Sequence, residues 1–183
     1  MSKRKAAVSG RPSSLGAADL FLGHGASGTA ESMRPWVTEL AKHGVRAVAL
    51  DLPKSSNDRA IEVFRTALET APGAAIGGHS YGGRMASLLA AAQPVRALVL
   101  LSYPLHRPGH PEELRTAHWP GIACPVLLLS GDRDPFAKID LLRREVGSLR
   151  NAELVVYPGL GHGVLPMRVD AAARIAAFLA GKA

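Results

Sequence analysis

The sequence predicts an α/β fold, a mostly parallel sheet of about six strands with helices on both faces. Three observations predict it. Short apolar runs and amphipathic stretches alternate from Leu20 onward, the pattern of strands linked by crossover helices. The runs are apolar almost continuously, as in strands covered from both sides rather than half-exposed. The length of 183 residues suits one domain large enough to bury roughly 70% of its unfolded surface.

Six strands are expected, at Asp19–Gly23, Val45–Asp51, Ala74–His79, Val95–Ser102, Pro125–Ser130 and Glu153–Tyr157. Helical periodicity fills the gaps. Met33–Lys42 would place Trp36, Val37, Leu40 and Ala41 on one face. Asp58–Glu69 would turn Ile61, Phe64, Ala67 and Leu68 inward, and Val169–Ala180 would do so with Ile175, Phe178 and Leu179. Gly82–Ala92 is small and apolar nearly all round, so burial is expected there, while Ile139–Val146 is short. Gly44, Gly73 and Gly181 stand where helices should stop. No internal repeat or interdomain linker is visible, so residues 17–183 read as one domain.

Residues 1–16 differ in character. Lys3, Arg4, Lys5 and Arg11 supply four positive charges of the net +7, with no acid among them. The segment reads as a disordered, solubilising leader. A basic tail suits nucleic acid or an anionic surface, but nucleic acid is not the expected partner. Ser9, Gly10, Arg11 and Pro12 interrupt any apolar region that a secretory signal would need. No apolar run approaches the ~20 residues of a membrane span. Cys124 is the single cysteine, which excludes an internal disulfide, fits a small buried residue before a strand, and makes the reducing cytoplasm the expected location.

The chemistry concentrates at strand ends. Gly78-His79-Ser80-Tyr81-Gly82 reads G-x-S-x-G between a strand and a helix, the context of a nucleophile held on a strained turn. Residues two before and two after the serine must be small to avoid collision. Ser80 is therefore the candidate nucleophile, and it needs a base. His24 and His43 precede it; His106, His110, His118 and His162 follow. Only His162 lies beyond the last expected strand, in Gly159-Leu160-Gly161-His162-Gly163, a loop flexible enough to bend an imidazole over Ser80. The acid should leave the preceding strand, and Gly131-Asp132-Arg133-Asp134-Pro135 does so. Asp134 is preferred to Asp132 as the carboxylate that orients the base. The loop Gly23-His24-Gly25-Ala26-Ser27-Gly28 should give one oxyanion donor, the Ala26 N–H or a neighbour one position away, and the Tyr81 N–H the other.

The same loop also spells G-x-G-x-x-G, with Asp51 ending the next strand 23 residues after Gly28, a dinucleotide fingerprint. Pro35 argues against it. A helix already under way at Gly28 would hold Pro35 deep inside, where it breaks a hydrogen bond. A helix starting near Ser32 or Met33 tolerates it in the first turn. No cofactor is expected. No metal is expected either, because Pro108 and Gly109 keep His106 and His110 off one helical face. Trp36 reads as core, and Trp119 as lining the site or the sheet edge. Arg84 sits in the first turn of the helix after Ser80, where the dipole opposes a cation. It reads as an exposed arginine, or as a site brace paired with Asp51 or Asp132.

With these residues named, the chain resembles the α/β-hydrolase superfamily, and within it the small dienelactone-hydrolase-related branch that includes a subunit of an animal histone acetyltransferase complex. Leu22–Gly28 (LGHGASG), Gly77–Ser87 (GGHSYGGRMAS), Leu101–Leu105 (LSYPL), Pro111–His118 (PEELRTAH) and Gly131–Phe136 (GDRDPF) carry the likeness. The resemblance implies a Ser-Asp-His esterase acting on a small-molecule ester, with Ser80, Asp134 and His162 as catalytic residues. The first two strands of the full superfamily pattern are missing, and dienelactone hydrolases proper use cysteine where Ser80 stands. A non-catalytic binding or scaffold protein of the same fold is the competing class. The 20 residues from Leu105 to Cys124 are too few for a lid domain with its own core and hold at most one short helix near Glu112–His118. A shallow, open cleft is expected.

Overall fold

The computed structural model describes residues 18–181; the basic leader read from the sequence lies outside them. Six strands form one sheet: β1 (Leu20–Gly23), β2 (Ala47–Leu50), β3 (Ala75–His79), β4 (Leu98–Leu101), β5 (Val126–Gly131) and β6 (Ala152–Tyr157). All pairings are parallel, in the order β2-β1-β3-β4-β5-β6. Four α-helices lie between strands, α1 (Arg34–Lys42), α2 (Asn57–Thr70), α3 (Tyr81–Ala92) and α4 (Ile139–Val146), and α5 (Arg168–Ala180) follows β6.

The side-chain alternation of the central strands builds two cores. Phe21, Leu98, Leu100, Val126 and Leu128 join Phe64, Met85, Leu89 and Leu142, so α2, α3 and α4 cover one face. Leu20, Leu22, Val99, Leu101, Leu127 and Leu129 join Trp36, Leu40, Ile175 and Leu179, so α1 and α5 cover the other. Each such side chain taken from water contributes about 1.5–3 kcal/mol. The expectation of strands buried on both faces holds for β1, β3, β4 and β5. It fails for β2 and β6, which carry half-buried and exposed positions, including Val48. Both are edge strands, and their flanking helices cover them only in part.

Local rules explain the helices and their departures from expectation. Ser56 caps α2 by accepting the Arg59 N–H at 3.3 Å. Pro35 falls in the first turn of α1, which starts six residues beyond Gly28, so the third glycine of the fingerprint lies outside any α-helix. Within α1 the buried residues are Trp36, Glu39 and Leu40, whereas Ala41 is exposed. The inward stripe runs through Met33, Trp36 and Leu40 at helical spacing. Glu39 is buried beside it and accepts from Lys42 Nζ at 2.9 Å. Gly44 ends α1 with φ +76°, the left-handed stop that glycine supplies. Gly73 and Gly181 do not use that conformation.

The chain runs from β1 outward to β2, then crosses back to β3 on the other side of β1. The strand order therefore reverses between β1 and β3, and open α/β sheets open a crevice at such a point, beyond the carboxyl ends of the strands. Gly23 and Gly78 are register partners there. A Cβ on Gly78 would lie 2.3 Å from the Gly23 carbonyl oxygen, and one on Gly82 would lie 2.3 Å from both the Gly23 carbonyl carbon and oxygen. The glycines flanking Ser80 are thus required by the backbone of β1, more than by each other. Gly82→Ala is expected to cost about 1–3 kcal/mol through overpacking against immobile backbone. Gly73→Ala, with nothing within 4 Å of its added Cβ, should stay within about 0.5 kcal/mol of the parent. Urea denaturation of the two variants checks the contrast.

Candidate active site

Ser80 leaves β3 with φ 49° and ψ −109°. That conformation is sparsely populated by any residue with a Cβ and costs of order 1–3 kcal/mol. Its surroundings impose it: the Ser80 N–H donates to the Leu101 carbonyl at 2.9 Å, and the Gly82 N–H donates to the His24 carbonyl at 3.0 Å. The turn delivers Ser80 Oγ into a cleft of about 370 Å³ lined also by Ala26, Tyr81, Arg84, Arg115, Phe136 and His162. A second hollow of about 310 Å³ adjoins it and shares Gly25, Ser27, His79 and His162.

The loop after β6 brings His162 to the serine, with Gly159 and Gly163 at positive φ on either side. Ser80 Oγ donates to His162 Nε2 at 2.8 Å. His162 Nδ1 donates to the Asp134 carboxylate at 2.8 and 3.0 Å. The Asp134 side chain is fully buried, and a charge in that setting needs partners. It has two: the imidazole, and the Phe136 N–H, which donates to Oδ1 at 2.8 Å. Asp132 takes a different task. It accepts the Gly159 N–H at 2.7 Å and so anchors the histidine loop. The Phe136 ring lies 4.2 Å from the His162 ring, centroid to centroid, and backs it.

Ala26 and Tyr81 flank Ser80 in the cleft. Among the described residues neither N–H is engaged by a carbonyl or side chain. The loop that carries Ala26 is pinned by His24, a histidine to which the sequence reading gave no role. His24 is buried, accepts the Leu52 N–H on Nε2 at 3.0 Å, and donates from Nδ1 to the Gly25 carbonyl at 2.8 Å. The Tyr81 hydroxyl donates to the Pro53 carbonyl at 3.0 Å and ties the elbow to the segment after β2. Only the His-Gly dipeptide after β1 signals the His24 contact in the sequence.

Several expectations are corrected. Arg84 is half-buried and pairs with neither Asp51 nor Asp132: Asp51 accepts the Ala30 N–H, and Asp132 holds Gly159. Trp119 lines neither the site nor the sheet edge. It is fully buried in the α2/α3 core and meets the Tyr103 ring edge-on at 5.0 Å. The limit of at most one short helix between Leu105 and Cys124 holds: residues 112–118 form no helix, because Tyr103 Oη donates to the Arg115 carbonyl at 2.6 Å and the Arg115 N–H to the Leu105 carbonyl at 2.8 Å. These bonds hold the segment against the end of β4, and the only helical turn there is Trp119–Gly121. His106 is buried with both ring nitrogens bonded to backbone, at Lys138 and Arg107. Burial pushes the Cys124 thiol up to about 11, which disfavours the reactive thiolate.

Residues 16–176 match the family described as an alpha/beta hydrolase domain, and the chain belongs to that family. Solved structures share its architecture. A predicted CIB-like hydrolase from Thermoplasma acidophilum superposes at TM-score 0.72 with 19% identity, over 88% of this chain and 86% of that one. A monoacylglycerol lipase from Paleococcus ferrophilus gives 0.78 and 16%, over 92% and 97%. Est1E from Butyrivibrio proteoclasticus gives 0.73 and 17%, over 91% and 90%. At such identities the likeness is one of fold. No described helix is long and apolar enough to cross a membrane.

Two imidazoles near the site are hard to protonate. Burial, with His162 beside it, pushes His79 down to about 4; burial and the Arg84 guanidinium do the same to His118. An unfolded histidine binds its proton near ~6.5, so below that pH the unfolded chain takes up protons that the folded chain refuses. Stability from this source is full above about 6.5, falls as the pH drops, and stops falling below about 4. The urea midpoint is expected to decline across that window. His118→Gln, which can still donate to Ser87 Oγ, the group 2.8 Å from His118 Nε2, should show a shallower decline.

Proposed function

We propose that the chain is a serine hydrolase that cleaves small carboxylic esters, or thioesters, through an acyl-enzyme on Ser80. One observation carries the reading: Ser80 Oγ, His162 and the buried Asp134 carboxylate form a continuous hydrogen-bonded line of 2.8 and 2.8 Å. A serine hydroxyl attacks poorly until a base removes its proton. His162 Nε2 takes that proton as Oγ adds to the acyl carbonyl. Asp134 fixes the tautomer with Nδ1 protonated and stabilises the imidazolium that forms. The developing oxyanion faces the Ala26 and Tyr81 N–H groups, and the N-terminal end of α3 adds favourable potential. His162 then protonates the leaving alcohol. Water, deprotonated by the same imidazole, releases the acid. The strained turn at Ser80 fits the reading as well, since a nucleophile between strand and helix is held in such a conformation. A scaffold protein of the same fold would need neither the strain nor the aligned imidazole.

The finer affiliation follows the segments LSYPL and GDRDPF, which favour the dienelactone-hydrolase-related branch, with serine replacing the cysteine of the dienelactone hydrolases proper. The lipase among the structural neighbours is consistent with ester chemistry.

A fluorophosphonate probe should label Ser80, and Ser80→Ala should abolish labelling and lower kcat by on the order of 10⁴-fold or more with an unchanged circular dichroism spectrum. Full turnover by the variant, or an unlabelled wild-type protein with no esterase activity, overturns the reading. Chain-length preference is a separate expectation. The cleft is open and small, and a long acyl chain gains the ~0.8 kcal/mol per methylene of burial only where apolar walls surround it. For p-nitrophenyl esters, kcat/KM should peak at short acyl chains; a steady rise to long chains would reveal an acyl tunnel.

A further inference from the structure

The cleft at Ser80 carries positive charge and no counter-charge. Arg84 enters it from the first turn of α3 and Arg115 from the loop after β4, while no aspartate or glutamate lines it. Asp134, nearby in space, is sealed behind His162 with its side chain fully buried. Among the described residues, no carboxylate lies within ion-pair distance of either guanidinium. Arg84 Nε is buried with no hydrogen-bond partner among the described residues.

Other pairings on this surface account for the missing partners. Glu113, two residues from Arg115, is held by Arg107 through two bonds of 2.8 and 2.6 Å. Glu145 accepts from Thr116 Oγ1 at 2.7 Å and from Arg144 at 2.9 Å. The remaining polar groups around Arg84 are neutral: the hydroxyls of Tyr81 and Tyr103, and the His118 imidazole, kept uncharged by burial and by Arg84 itself. The two guanidiniums feel each other as well, since burial and the Arg84 charge both lower the Arg115 pKa.

This arrangement is unfavourable as it stands. Two like charges share a half-buried pocket, and one of them sits at the positive end of a helix. The Arg115 backbone is fixed at both its N–H and its carbonyl, so the side chain starts from a rigid point. Guanidinium groups offer forked N–H donors that match a carboxylate, and such charge-assisted bonds are the strong ones. An anion entering the cleft would relieve the repulsion and satisfy the buried Nε.

We propose that Arg84 and Arg115 form an anion subsite, and that the substrate is a small ester that also carries a carboxylate, held there while its ester carbonyl meets Ser80. The proposal rests on the hydrolase reading above. A half-ester of a short dicarboxylic acid has the required chemistry: its free carboxylate binds the two arginines, and hydrolysis adds water across the ester to give the dicarboxylate and the alcohol.

The test uses the full chain with the monomethyl and dimethyl esters of succinic, glutaric and adipic acids, followed by proton release. At one or more of the three lengths the monoester should exceed the diester in kcat/KM, per ester group, by about tenfold or more, the range of a charge-assisted contact. The difference should lie mainly in KM and shrink as salt rises from about 20 mM to about 500 mM. Arg84→Gln and Arg115→Gln should each cut the monoester-to-diester ratio by about fivefold or more, with Arg84→Lys and Arg115→Lys retaining part of it. Circular dichroism checks that each variant folds, and either arginine alone suffices as a test. Diesters equal to or better than monoesters at every length, or a ratio that neither glutamine variant changes, overturns the proposal. If no ester is hydrolysed, the hydrolase reading falls separately, and glutarate binding by calorimetry judges the subsite. Binding lost in the glutamine variants upholds it; no arginine-dependent binding overturns it.

Discussion

Gly78 and Gly82 press their α-carbons against the backbone of Gly23, with no space for a side chain on either. The architecture of the candidate site depends on that contact. It joins the end of β1 to the turn that leaves β3, at the place where the strand order reverses. Because the backbones touch, the Gly82 N–H reaches the His24 carbonyl, so the Ser80 turn and the loop bearing Ala26 are fixed by one interaction. The strain at Ser80 is sustained by the same contact. A turn free to relax would do so, and here the glycines, the Leu101 carbonyl and the start of α3 leave it no alternative.

A second layer of constraint is electrostatic. Asp134 is a fully buried carboxylate, and a buried charge needs hydrogen-bonding partners. The Phe136 N–H and the His162 Nδ1–H together hold the charge in place, and with it the orientation of the imidazole. Asp132 contributes from outside by gripping Gly159 at the base of the histidine loop. The two aspartates of one turn therefore act on the same histidine from different sides: one touches the ring, and the other steadies its backbone. His24 plays the corresponding part for the opposite wall of the cleft, its two ring nitrogens both spent on backbone groups.

The arginines break this pattern of satisfied groups. Several surface charges pair locally, as in Arg107 with Glu113, Arg174 with Asp170 and Arg46 with Asp19. Arg84 and Arg115 alone face the serine with no acid beside them, so the polarity of the cleft is set by what the fold leaves unpaired.

By itself the sequence determined the six strands, the five helices and the near-continuous apolar runs of the inner strands, because these follow from patterns only a few residues long. It also determined the strained turn at Ser80, through two glycines and the strand and helix around them, and the order in which an acid and a histidine follow it. Tertiary structure decided the rest, and the physical reason is separation along the chain. Ala41 turns outward because α1 packs with Met33, Trp36 and Leu40 inward, a choice of angle that periodicity does not fix. Trp119 enters the core because Tyr103 and Arg115 bind the intervening loop back on itself. The edge strands stay partly exposed because nothing local tells an edge from a centre. Arg84 lacks its expected aspartate and gains Arg115, 31 residues away, because the path of one loop set their distance, and no local pattern records where a loop will return.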